Sequence, residues 1–296
     1  MQISKRKLIL HVGLPKTASC SIQKLLHDKR DIAAQYGLEY PETGSGDVTP
    51  RHQFLVSDLL RNSFVKTNEI LESCRLPRLM LSAEGLSNRL YDFSDKALAE
   101  FAKLVRNWEV HVLLVLREPR SFERSYYAQV VLNPAVKGGC GYATSLKFRD
   151  FVTQEWVRRL TDFKTLTHDI GKAFRAEEVC TGWLESDWLD KLSQVTELNF
   201  LRDCKPPRIN ETPPRWAIEL MRQVNHYNLP ESRRQVWRAV LHEITGSSHT
   251  LFLKARDEID LASTVLEPKI LAELKPCDDP DFPLSEAHIA EIRNFV

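Results

Sequence analysis

The chain has 296 residues, 43% of them hydrophobic, which suffices for one large core or a core with a smaller appendage at ~100–200 residues per domain. Its 41 Lys+Arg against 40 Asp+Glu exclude a global basic field that would draw in nucleic acid, and leave room for a local basic pocket around a small anion. The six cysteines (Cys20, Cys74, Cys140, Cys180, Cys204 and Cys277) form no C-x-x-C pair and fit no zinc spacing, so a reducing compartment and no metal are expected.

In chain order, "KLILHV" (7–12) is a short apolar run ending at Gly13, the pattern of a fully buried strand. From Thr17 the pattern turns helical, with Ile22, Leu25 and Leu26 on one face. "GLEYPETGSGDVTP" (37–50) reads as a loop, followed by helices near 51–61 and 65–74. "RLMLSAE" (78–84) is a second apolar run ending in a carboxylate, and "SDKALAEFAKLVRN" (94–107) is a helix with Ser94 as N-cap. "EVHVLLVLRE" (109–118) is the strongest strand signal; Pro119 closes it, and "RSFERSYYAQVVL" is helical. "AEEVCTGW" (176–183) is a further strand candidate, and after "DCKPPRINETPP" (203–214) the chain is mostly helical. Strands alternating with helices predict βαβ units on a parallel sheet. The apolar run at the start is too short for a signal peptide, and no run approaches the ~20 apolar residues of a membrane span. The expectation is a soluble cytoplasmic protein without stable membrane insertion.

Three features carry chemistry. Between Gly13 and Ser21 a strand end, a tight turn and a helix start gather free backbone N–H groups, and the helix dipole adds partial positive charge. Hydroxyls at Thr17, Ser19 and Ser21 and the mobile charge of Lys16 complete a site suited to phosphate. The triphosphatase loop G-x-x-x-x-G-K-[ST] does not fit, because Lys16 comes three residues after Gly13 with no second glycine before it. The plainer alternative is a βα turn with an exposed lysine. In "LLVLREPRSFERSYY" a strand delivers Arg117 at its C-terminal end, and Ser125 follows eight residues later. Together they could grip one phosphate; alone, Arg117 reads as a sheet-edge arginine. Glu84, ending "LMLSAE", is a general-base candidate or a glutamate in the loop before a helix. His52 is the rival base, its alternative being a surface histidine at a helix start, and His11 reads as a core residue.

"HVGLPKTASCSIQ" followed by "LREPRSFERSYY", each after a strand, resembles the sulfotransferases that use 3′-phosphoadenosine 5′-phosphosulfate (PAPS). The first segment is similar to that family's 5′-phosphosulfate loop, P-K-T-G-T-T-[ST]. The second is similar to its 3′-phosphate motif, and "LSAEGLS" resembles the strand carrying a base glutamate in the glycan sulfotransferases. Ala18, Ser19 and Cys20 stand where Gly-Thr-Thr is usual.

The resemblance implies a three-layer α/β fold with a central parallel sheet flanked by helices, P-loop nucleotide-hydrolase-like, with a mostly helical C-terminal part. It implies one sulfotransferase domain over 1–296, with a nucleotide-binding core at about 5–200 and a helical portion at about 213–296. It further implies sulfuryl transfer from PAPS, leaving 3′,5′-bisphosphoadenosine (PAP), to a hydroxyl or amine on a glycan or small molecule. Lys16 would stabilise the leaving phosphate, and Lys16, Thr17, Ala18, Ser19, Cys20 and Ser21 would line the 5′-phosphate. Arg117 and Ser125 would hold the 3′-phosphate, Arg208 and Asn210 in "RINETPP" would belong to a lid or, as the plainer reading, to a solvated linker, and Glu84 would take the acceptor proton. Acceptor loops are expected within 37–64 and 131–175. A P-loop-type nucleotide kinase is the second reading, opposed by the loop spacing and by the lack of an obvious magnesium aspartate. A non-catalytic nucleotide-binding member of the fold is the third.

Overall fold

The computed structural model describes residues 5–42, 50–135, 141–206, 212–263 and 265–295. Among the described residues five strands form one sheet: β1 (Arg6–Gly13), β2 (Leu38–Glu39), β3 (Arg78–Ser82), β4 (Trp108–Leu116) and β5 (Glu178–Trp183). Their order is β2-β3-β1-β4-β5, and every pairing is parallel. The three long apolar runs take the centre because a parallel sheet buries both faces. Leu8, Ile9, Leu10 and Val12 of β1 and Val112, Leu113, Leu114 and Val115 of β4 are all 0% exposed.

The chain divides into two compact units, Met1–Phe122 with Arg159–Ile209, and Glu123–Arg158 with Asn210–Val296. The first unit holds the sheet. Its connecting helices are α1 (Ser19–Asp28), α2 (Arg30–Gln35), α3 (Gln53–Arg61), α4 (Val65–Ser73), α5 (Gly85–Asn88), α6 (Asp95–Leu104) and the start of α7 (Pro119–Leu132). On one face, Ile9, Met80, Leu113 and Val115 pack with Ile22, Leu25 and Leu26 of α1 and with Leu192 and Val195 of the helix Trp188–Thr196. The helix Phe163–Phe174 packs against β4, β5 and α6, and its Phe174 ring meets Phe101 edge-on at 5.9 Å between centroids. The expected α/β fold, a central parallel sheet flanked by helices, is therefore present.

Ser94 caps α6 as expected, accepting the Ala97 N–H at 3.2 Å. Pro119 does more than end a strand: it is the first residue of α7, where its fixed φ suits a helix start and its missing N–H has no intrahelical partner to lose. The segment 37–50, read as a loop, contains the edge strand β2, whose two residues pair with Arg78 and Leu79. The expected acceptor loop 131–175 is largely helical from 148 onward, in Phe148–Phe151, Glu155–Thr161 and Phe163–Phe174.

In the second unit, Tyr126 and Tyr127 are fully buried in an aromatic cluster with Phe148, Phe151, Trp156 and Phe282. The end of α7 is held by two arginines of the helix Glu231–Thr245. Arg234 donates to the carbonyls of Val131 at 3.0 Å and Asn133 at 3.2 Å and to Asn225 Oδ1 at 2.9 Å. Arg238 donates to Leu132 O at 2.6 Å, and both guanidiniums share Glu231. Cations at the C-terminal carbonyls of a helix answer its dipole. Burial and the neighbouring Arg238 pull Arg234 down to about 10. Arg234→Ala removes the donor shared by Val131 O, Asn133 O, Asn225 Oδ1 and Glu231, and we expect it to lower the unfolding free energy by about 3 kcal/mol or more in urea denaturation. A loss below about 1 kcal/mol would show that the guanidinium is dispensable to this unit.

Candidate active site

The turn after β1 is built from unusual backbone. Gly13 has φ +91°, and a Cβ there would lie 3.1 Å from Glu84 Cα, so only glycine lets the end of β3 come so close. Lys16 at φ 63° and Ala18 at φ 62° are both left-handed, a conformation costing a non-glycine residue roughly 1–2 kcal/mol. Alternating left-handed residues aim successive N–H groups into one concavity, the arrangement that receives anions.

Side chains hold this turn in place. Thr17 Oγ1 donates to Leu14 O at 2.7 Å and Ser19 Oγ to the same carbonyl at 3.1 Å. Arg117 Nη1 donates to Lys16 O at 3.2 Å, and Arg117 Nε donates to Ser121 Oγ at 2.8 Å. The Thr17 and Ser19 hydroxyls, expected as phosphate donors, are buried with their protons committed to the loop itself. Their work in this structure is to shape the turn. The groups of the turn not committed in this way include the Lys16 ammonium. Ser21 is half-buried and has a partner of its own.

Charge converges beside the turn. Burial lowers the Lys16 pKa, the Glu84 carboxylate and Cys20 oppose that, and Arg117 adds to it. Burial raises Glu84, against Lys16 and Arg51. Cys20 Sγ lies 4.0 Å from Glu84 Oε1, and its thiol is pushed up to about 11 by burial and then by that carboxylate. The structure thus gathers Lys16, Cys20, Glu84 and Arg117 at the C-terminal ends of three adjacent strands, where open α/β sheets bind ligands. A thiol at this pKa is a neutral donor rather than a nucleophile. The N–H groups of Arg120 and Ser121 at the start of α7 are filled from within, accepted by Glu118 carboxylate oxygens at 2.9 and 2.7 Å.

His52 is a correction. It is 0% exposed, with Nδ1 accepting the Ser82 N–H at 2.9 Å and Nε2 against Pro41 O at 3.0 Å. Its own N–H donates to Ser82 O at 2.8 Å. The two backbone bonds to Ser82 make it a staple on the end of β3. With both ring nitrogens occupied, it is neither the rival base nor a surface residue. Burial pulls it down to about 4. His11 is a core residue as expected, its Nδ1 2.7 Å from Ser82 Oγ, and burial pulls it down to about 3. Gln23 Nε2 donates to the same hydroxyl at 3.1 Å.

Ser125 lies in the second unit, 5% exposed, its hydroxyl buried and unpartnered among the described residues. Arg208 and Asn210 fall outside the described residues. Sequence reasoning missed Arg51, although it stands next to His52, and Glu185, whose Oε1 is 3.9 Å from Arg117 Nε. Among the described residues no group of three or more His, Cys, Asp or Glu is placed to hold a metal ion, and no helix is long and apolar enough to cross a membrane.

No protein-family model and no curated protein matches the chain. Among solved structures it is similar to a sulfotransferase from Alicyclobacillus acidocaldarius, at 15% identity and a TM-score of 0.39, over 84% of this chain and 99% of that one. At that distance the functional reading rests on the side chains themselves.

Two buried neutral histidines set a pH dependence. Their folded pKa values lie below the unfolded value near 6.5, so the stability they allow is full above that pH and is lost as pH falls toward about 4 for His52 and about 3 for His11. The slope is about 1.4 kcal/mol per pH unit for each histidine. Denaturation of His52→Gln across this window should show a shallower acid limb than wild type. An identical limb would contradict a buried neutral His52.

Proposed function

We propose that the chain is a PAPS-dependent sulfotransferase acting on an acceptor hydroxyl or amine, with a glycan as the favoured acceptor class. One observation carries the reading: Lys16, on a left-handed turn, shares its surroundings with the raised carboxyl of Glu84, while Arg117 hydrogen-bonds the Lys16 carbonyl. The residues fit a phosphosulfate donor. The turn offers backbone N–H groups and one half-buried ammonium, and it is too short to wrap a triphosphate.

When bound, PAPS supplies an activated sulfuryl group and a phosphate leaving group. Lys16 neutralises charge that develops on the leaving phosphate, where a preorganised cation is worth most. Glu84 accepts the acceptor's proton, and its upward shift brings it nearer the range useful to a general base. Lys16 and then Arg51 oppose that shift and favour its ionised form. The thiol of Cys20 faces the same carboxylate, in the place where the family's loop offers a hydroxyl. Arg117 takes the 3′-phosphate. The share given to Ser125 rests on sequence spacing alone. In-line transfer of this kind depends on positioning and electrostatics more than on covalent chemistry.

The test is thermal shift with PAP, with 5′-AMP and with ATP plus magnesium, followed by labelled-sulfate transfer from PAPS to a panel of neutral and anionic glycans. A ligand at about 100 times its Kd stabilises by about 2.7 kcal/mol, a shift easily read. We expect PAP to give the largest shift, Lys16→Ala to lower kcat/KM by about 100-fold or more, and Glu84→Gln to lower kcat by a similar factor. A shift with ATP–magnesium alone would favour the kinase reading. PAP binding without transfer to any acceptor would favour a non-catalytic binder.

A further inference from the structure

The neighbourhood of Arg117 is more acidic than a phosphate subsite requires. β5 pairs with β4 up to Leu116↔Trp183, and the Leu184 N–H then donates to Leu116 O at 2.8 Å. That extension carries Glu185 to the level of Arg117. Glu185 Oε1 lies 3.9 Å from Arg117 Nε and accepts the Glu118 N–H at 3.4 Å. Burial lowers the Arg117 pKa, and Glu185 and then Glu118 oppose that. One guanidinium therefore feels two carboxylates, and two of its five N–H groups are already given to Ser121 Oγ and Lys16 O. The adjoining start of α7 offers no relief, because Glu118 fills the Arg120 and Ser121 N–H groups. A phosphate approaching Arg117 meets the positive charges of Arg117 and Lys16 and, against them, the two carboxylates of Glu185 and Glu118.

We infer that Glu185 is a specificity-determining residue, a built-in competitor for Arg117 that sets how strongly the site prefers a nucleotide carrying a 3′-phosphate over one carrying a free ribose hydroxyl. The inference rests on the sulfotransferase reading of the same site. The physical reason is a difference of affinities. A carboxylate repels a phosphate dianion but accepts a hydrogen bond from a ribose hydroxyl, as acidic residues do at nucleotide sites. Binding of the 3′-phosphate must displace Glu185 from Arg117, whereas a ribose hydroxyl can bind beside it. Glu185 is half-exposed, so the displacement is possible and its cost is moderated by solvent.

Isothermal titration of the full chain with PAP and with 5′-AMP tests this, using wild type, Glu185→Gln and Glu177→Gln. Gln at 185 keeps an acceptor for the Glu118 N–H, and Glu177 is an exposed carboxylate just before β5 that controls for the change in net charge. Glu185→Gln should tighten PAP about tenfold, while 5′-AMP and the Glu177→Gln control each change less than about twofold. The gain should shrink as salt rises from about 50 to about 300 mM, because the repulsion is partly exposed to solvent. PAP binding that appears only in Glu185→Gln would also support the inference. Equal PAP affinity in wild type and Glu185→Gln would overturn it and leave the sulfotransferase reading standing. No binding of either nucleotide to any of the three proteins would overturn both.

Discussion

The close approach of β1 and β3 at Gly13 governs the candidate site. A Cβ at this position would sit 3.1 Å from Glu84 Cα and 3.4 Å from Ser87 Oγ. Removing it lets the backbone turn at φ +91° and brings the base candidate onto the turn that carries Lys16. The strand ends are then fixed by polar bonds. Ser82 takes His52 on its backbone and His11 and Gln23 on its hydroxyl, so the segment leading to Glu84 is tied to β1, to α1 and to the start of α3. On the other side, Arg117 ties the end of β4 to the Lys16 carbonyl. Three adjacent strands thus deliver one cationic turn, one carboxylate and one guanidinium as a unit.

This packing stores strain where charge is wanted. Lys16 and Ala18 adopt a conformation that glycine would take without cost, and Thr17 and Ser19 spend their hydroxyl protons on Leu14 to maintain it. Such strain persists only where surrounding bonds over-determine the backbone, as those of Leu14, Arg117 and the sheet do here. The electrostatics are also balanced. Lys16 and Glu84 are each moved by burial toward neutrality, and each opposes that shift in the other.

What the sequence revealed was what periodicity and covalent geometry encode locally. The runs at 7–12, 78–84 and 109–118 became β1, β3 and β4 because nearly unbroken apolar strands are stable only when buried on both faces. The sequence placed Lys16, Glu84 and Arg117 near strand ends because each lies within three residues of where such a strand stops. The edge strand β2 was not legible, since two residues carry no periodicity and pair with distant Arg78 and Leu79. His52 looked exposed in "TPRHQ", and what buried it was backbone pairing with Ser82, thirty residues away in sequence. Thr17 and Ser19 have the right hydroxyls, but only the folded turn directs their protons to Leu14. Glu185 was hidden for the same reason: it lies past a weak strand, and only the register of β5 on β4 brings it to Arg117.

The most direct measurement is a crystal structure of the protein with PAP. The 5′-phosphate should lie within hydrogen-bond distance of Lys16 Nζ and the N–H groups of the 14–21 turn, and the 3′-phosphate at Arg117 with Glu185 moved away. A nucleotide bound elsewhere, or one whose 5′-phosphate leaves Lys16 untouched, would contradict this arrangement.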